Sequence, residues 1–310
     1  MKKQLFFALT FAVLAQAEAQ KLYVNVYGGY SLPTTKEAFA SPNFTQTQYA
    51  TGTTAILKTS DELVATTLGG GTQFGGAIGY QITDHLAVEL GAHYLKGTTQ
   101  AAHGDVIIDF GDSLPTRQGH ADVDIRRQTQ QIRLAPALVI RGGGMFKIMY
   151  PYARLGLIVP VGGKTISEVS KHFTYPDTVL MNPLLHYTND STVYAQYQTK
   201  GQLNLGFQSA LGVEFKLGVV GIFAEIAHQS LSVRADKTDL IKYTRYGKDA
   251  MDLLTEYDKH TEYLDKITSK NNNAAYNLNG IIDATKPKQD LRVVGQYSNI
   301  GLNIGVQVRF

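Results

Sequence analysis

In eight separate stretches of the chain, apolar residues recur at every second position. The last is the clearest: Ile300, Leu302, Ile304, Val306, Val308 and Phe310 alternate with Asn299, Gly301, Asn303, Gly305, Gln307 and Arg309. Successive side chains of a strand point to opposite faces, so each stretch predicts a strand with one apolar face. The other seven run over Tyr23 to Ser31, Thr72 to Ile82, His85 to Leu95, Gln131 to Ile140, Ile148 to Val161, Gln202 to Phe215 and Val220 to Ser230. Their opposite faces carry glycine, amides, tyrosine and a few charges.

The connections alternate in length. Long polar segments, expected to be loops, fall at about 32–71, 96–128, 162–199 and 231–295. Short turns fall at Thr83 to His85, Arg141 to Gly144 and Lys216 to Val219. At the N-terminus, Lys2 and Lys3 precede an apolar run from Leu5 to Ala15 and the small-residue sites Ala15-Gln16-Ala17 and Ala17-Glu18-Ala19. This predicts a secretory signal peptide over 1–19 and a mature chain over 20–310. With no cysteine in the sequence, lipid attachment, disulfides and thiol chemistry are excluded. Beyond the leader no apolar run approaches the roughly 20 residues of a membrane helix. Without Lys2, Lys3 and Glu18, the 29 basic and 26 acidic residues become 27 and 25, too near balance to imply nucleic acid.

Eight amphipathic strands with long loops at one end and short turns at the other are the pattern of an all-β, eight-stranded antiparallel up-and-down transmembrane β-barrel. Closure is required because lipid offers no partner to an open sheet edge. The expected arrangement has four long extracellular loops, three short periplasmic turns and both termini in the periplasm of a Gram-negative-type bacterium. The apolar faces carry no Asp, Glu, Lys or Arg. The opposite faces carry Glu89, Arg133, Arg154, Glu214, Glu225 and Arg309 on six strands. Eight strands enclose only their own side chains and buried charges must be paired, so these six are expected to form an interior salt-bridge network that plugs the lumen. A soluble lipocalin-like barrel is the alternative, and charges balanced over six strands argue against it. Pro136 removes a ladder hydrogen bond, and a bulge is expected there.

The signal peptide, LYVNVYGGYS, GGAIGYQITDHLAVELGAHYLKG, YPYARLGLIVP and the terminal alternation ending in Phe310 together resemble the OmpA-like group of small outer-membrane β-barrel proteins. The resemblance implies that Phe310, Val308, Val306, Ile304 and Leu302 form the signal read by the barrel-assembly machinery. It also implies contact with outer-membrane lipids and lipopolysaccharide. The chain stops at its last strand, so no periplasmic peptidoglycan-binding domain is expected.

His228 and Ser230 lie two apart on the seventh strand, similar to the His-x-Ser pair of eight-stranded lipid A deacylases. A triad also needs a carboxylate to orient the histidine, and the last strand contains none; a polar rim is the plainer reading. Asp105, Asp109 and Asp112 lack the spacing of a calcium loop, and no metal or cofactor is expected. In the fourth loop, Leu253, Leu254, Tyr257, Leu264 and Ile267 recur at helical spacing, predicting an amphipathic recognition helix within Lys248 to Thr268. The expected function is that of a monomeric, non-enzymatic surface structural or interaction protein, adhesin-like or stabilising the envelope, that meets an extracellular partner through its loops. The alternatives are a pore for small or hydrophobic solutes and an outer-leaflet lipid A hydrolase.

Overall fold

The structure, a computed structural model, describes residues 21–34, 44–48, 54–58, 68–109, 118–144, 148–174, 191–277 and 280–310; the predicted signal peptide lies outside the described residues. Eight strands form the barrel: β1 (Leu22–Pro33), β2 (Gly71–Thr83), β3 (Leu86–Gly97), β4 (Gln118–Arg141), β5 (Met149–Thr174), β6 (Gly206–Leu217), β7 (Val220–Ser230) and β8 (Asn299–Arg309). Each pairs antiparallel with its neighbours in sequence, and β8 pairs with both β7 and β1, which closes the sheet. The closing register sets Tyr23 against Arg309 and Tyr30 against Leu302. The backbone N–H of Phe310 donates to the Leu22 carbonyl oxygen at 2.9 Å.

The period-2 pattern sorts inside from outside as expected. Along β7, every residue from Val220 to Ser230 alternates between exposed and buried, with Phe223, Glu225, Ala227 and Gln229 turned inward. Val26, Phe74, Ile78, Leu90, Leu211, Ile226, Leu302 and Ile304 stand exposed on the outer face. Inward glycines leave room for the large inward side chains: a Cβ on Gly79 would meet the Tyr23 ring and one on Gly212 would meet the Tyr152 ring. The β6–β7 hairpin turns through Gly218 at φ +73°, between the paired Leu217 and Val220. Positive φ at the first central position is the habit of a II′ turn and suits glycine.

At the long-loop end, strands replace much of what the sequence predicts as loop. β4 begins at Gln118 and β5 runs to Thr174, so their hairpin rises well beyond the barrel. Gln100–Asp109 pairs with the raised part of β4, Ser191–Gly201 with that of β5, and Ser232–Arg245 with Ser191–Gly201. These stretches are rich in polar residues, which composition reads as loop, although Ala121, Val123, Ile125, Val169 and Phe173 make a small buried apolar cluster on the raised hairpin.

The predicted fourth-loop helix is also corrected. Met251–Leu253 is one 3₁₀ turn, Glu256–Lys259 one short α-turn, and His260–Leu264 a strand paired with Lys237, Thr238 and Asp239. The raised sheet offers a backbone edge, and pairing with it displaces a helix that contains the poor helix formers His260 and Thr261. At Pro136 no bulge forms. The ladder between β4 and β5 shifts register between Ile132 and Arg133 instead, opposite Pro160 and Gly162, and lapses at Ala135 and Pro136.

Leu211 lies midway along β6 on the lipid-facing side. Leu211→Lys is expected to lower stability by about 2–4 kcal/mol in urea unfolding from phospholipid vesicles; Ser209→Lys, nearer the rim, should cost less.

Candidate functional site

The interior is built in layers. In the middle one, β5 presents Arg154 between two carboxylates on flanking odd-numbered strands: Nε donates to Glu89 Oε2 at 2.8 Å, and Nη1 to Glu225 Oε2 at 2.6 Å. Each carboxylate is completed by one tyrosine and one asparagine. Glu89 Oε1 accepts from Tyr23 Oη at 2.8 Å and Asn25 Nδ2 at 3.0 Å. Glu225 accepts from Tyr152 Oη at 2.8 Å and Asn303 Nδ2 at 3.0 Å. This saturates the lone pairs that otherwise make a buried ion pair costly. Toward the short turns, Glu214 bonds Arg309 and accepts from Arg141 Nη1 at 3.3 Å. Arg141 also donates to Gln307 Oε1 at 3.2 Å and stacks on Tyr23 at 4.7 Å. The void among these groups measures about 10 Å³, at the lower limit for a single water, so no channel passes this level.

The sequence-predicted charge set is thus brought together with two differences. Arg141, expected in a turn, is the last inward residue of β4 and joins Glu214; continuing the alternation of β4 one step past Ile140 finds it. Arg133 joins no carboxylate among the described residues. Its Nε and Nη1 bond Gln131 Oε1 and Gln229 Oε1, and its Nη2 has no partner. Beside it, Tyr27 and His93 bond each other.

Above Arg133 the wall changes. β5 pairs with β6 only as far as Ile158 opposite Gly206, and pairing on that side resumes at Thr165 opposite Thr199. Between these points Val159 to Lys164 has its ladder partners on β4 alone. The facing segment is drawn away toward Ser232–Arg245: Gln202 N donates to Arg234 O at 2.8 Å, and Asn204 Nδ2 bonds Ser232 O. Pro160, within the unpaired stretch, has no N–H to lose. The parted edges line a cavity of about 530 Å³. Its inner wall includes Leu68, Gln131, Val233 and Tyr297, of which Leu68, Val233 and Tyr297 belong to one buried apolar cluster. Its outer wall includes Val161 and Leu203, 49% and 73% exposed on the lipid-facing side. The cavity therefore spans the barrel wall.

The remaining candidates are scattered. His228 and Ser230 are exposed on the outer face of β7, His228 between Ser209 and Ile300, and among the described residues no carboxylate bonds the histidine. Leu302, Ile304, Val306 and Phe310 are exposed on β8 and at its end, with Val308 half-buried. Leu253 is exposed, while Leu254, Tyr257, Leu264 and Ile267 are half-buried across the turn and strand that replace the helix. The side chains of Asp105, Asp109 and Asp112 lie outside the described residues. A second cavity, about 480 Å³ and mostly polar, sits in the fourth connection beside Asn272, Asp283 and Lys286. There the hydrogen bond from Lys286 Nζ, at 2.7 Å, holds the Asp283 carboxyl down at about 2, with Thr285 adding to the effect.

A profile of the outer membrane protein beta-barrel domain family matches residues 5–261. No curated protein matches the chain. Among solved structures, the outer membrane protein OprG from Pseudomonas aeruginosa matches at 12% identity and a TM-score of 0.39, over 95% of this chain and 98% of that one.

Two predictions follow from this geometry. Glu89→Gln and Glu225→Gln are each expected to cost about 1–3 kcal/mol, and the double substitution more than their sum, because it strands Arg154; simple additivity in urea unfolding would refute the shared partner. Asp283 is depressed below its unfolded value of roughly 3.9. Its contribution to loop order is therefore complete above that pH and lost as pH falls through about 2. A carboxyl ¹³C titration should show the low midpoint, and Lys286→Gln should move it up.

Proposed function

Because the chain belongs to the outer membrane protein beta-barrel domain family, we propose that this outer-membrane barrel takes up small apolar solutes at its long-loop end and releases them sideways into the bilayer, between β5 and β6. Open sheet edges at membrane depth are tolerated where they line a cavity. The parted edges from Pro160 to Lys164 and from Gly201 to Leu203 line one that reaches from the mouth to the lipid-facing wall, and this observation carries the reading. The layers around Arg133, Arg154 and Glu214 bar the direct route through the lumen, so the sideways exit is the open one. On this reading the short turns and both termini lie in the periplasm, and Phe310 with the outward face of β8 serves assembly.

A second reading, attachment to an extracellular partner, is favoured by the raised sheet. Leu253, Tyr276, Ile281 and Val293 stand exposed in the connection that flanks it. The two readings use different surfaces and are compatible.

A Cβ on Gly162, part of the cavity lining, has no neighbour closer than Ile132 Cβ at 4.0 Å, so a side chain can start there without meeting backbone. Cells bearing the protein should take up the apolar dye 1-N-phenylnaphthylamine faster than cells without it. Gly162→Trp should return uptake to background at equal levels of heat-modifiable folded barrel. A well-resolved open pore in planar bilayers, or dye uptake indifferent to Gly162→Trp, would overturn the proposal.

A further inference from the structure

The rim cavity has a one-sided charge. Arg127, Lys164 and Lys200 line it, and among the described residues no Asp or Glu does. Beneath it the lumen holds four arginines, Arg133, Arg141, Arg154 and Arg309, against three carboxylates, Glu89, Glu214 and Glu225, among the described residues. Arg141, Arg154 and Arg309 share all three acids, so the surplus charge falls on Arg133. That residue is 1% exposed, with Nη2 unpartnered. Leaving an ion buried without a counter-charge is strongly unfavourable, and the chain supplies none of the described carboxylates to this one.

Arg133 lies one inward step below Gln131 on β4, and Gln131 is part of the cavity wall. Arginine has donors only, so Gln131 meets Arg133 Nε with its oxygen, which leaves its NH₂ as a further donor. Nη2 of the cation and the Gln131 NH₂ are then two donors, one of them charged, for the two oxygens of a carboxylate. Above them the wall is apolar at Leu68, Val161, Leu203 and Val233, and a volume of about 530 Å³ is in the range of small-molecule sites.

We infer that the solute of this cavity is an amphipathic anion, a single-chain carboxylate whose head pairs with Arg133 and Gln131 while its tail lies toward the gap between β5 and β6. The inference rests on the sideways-release reading and adds the charge of the solute to it. A phosphate of the surrounding lipid offers the same chemistry, but it approaches from outside, at the level of the exposed Lys164 and Lys200. Arg133 is 1% exposed and lies on the inward face of β4 that also carries Gln131.

The test uses the mature full-length barrel in phosphatidylcholine nanodiscs, with empty nanodiscs as the blank, and calorimetric titration of dodecanoate and dodecanol. Dodecanoate should bind about tenfold more tightly than dodecanol. Arg133→Gln should erase that preference while leaving dodecanol binding in place, and the double substitution Lys164→Gln, Lys200→Gln should keep most of it. Equal binding of the two probes to the native protein overturns the assignment of charge and leaves the cavity reading intact. Binding of neither probe overturns both. A preference that survives Arg133→Gln but vanishes with the two lysines places the anion at the membrane surface, as a lipid phosphate would sit, and overturns the inference. Should Arg133→Gln fail to fold, the native comparison and the lysine variant decide the matter.

Discussion

The interior of this barrel must satisfy its own charges, because neither lipid outside nor bulk water inside is there to do so. Arg154 meets that constraint at the centre: it stands on β5, its acids come from β3 and β7, and the groups that complete those acids come from β1, β5 and β8. The rest of the structure is shaped around this cluster. Inward glycines on β2 and β6 exist where Tyr23 and Tyr152 need room to reach it, and the outer face can be mostly apolar because Glu89, Arg133, Arg154, Glu214 and Glu225 are turned inward. Where this cross-linking ends, above Arg133, the wall is also free to part.

Much of this was legible in the sequence. Period-2 alternation fixes inside and outside without ambiguity, since a slip of one residue would send Glu89, Arg154 and Glu225 into lipid. Eight such stretches with alternating long and short connections leave little choice but a closed antiparallel barrel. The three-and-three balance of predicted inward charges also pointed to pairing, and five of those six residues do bond an opposite charge.

The rest was hidden for physical reasons. Partners in a barrel are set by register and stagger, which no single strand encodes, so Arg133 looked equivalent to Arg154 although it bonds none of the described carboxylates. The raised sheet escaped notice because its strands are mostly polar; in Ser191–Gly201 only Val193 and Ala195 are aliphatic. The fourth-loop helix was suggested by spacing alone, and a nearby sheet edge gave His260–Leu264 a better use of its backbone. The gap between β5 and β6 left two faint marks in the sequence, Pro160 and the run Gly162-Gly163. Read as the end of a strand, they gave no hint that the strand continues beyond them to Thr174.

The distribution of Arg154's partners also bears on how the chain can enter a membrane. A first half ending after β5 would carry Arg154 and Glu89 but lack Glu225 and Asn303, and a barrel one strand short would expose Glu214 without Arg309. Each partial assembly therefore holds charged groups that lack bonding partners carried by later strands, and stepwise insertion of hairpins would drag those groups through oil. The chain's electrostatics favour delivering all eight strands together, with β8 bringing Arg309 to Glu214 and Asn303 to Glu225.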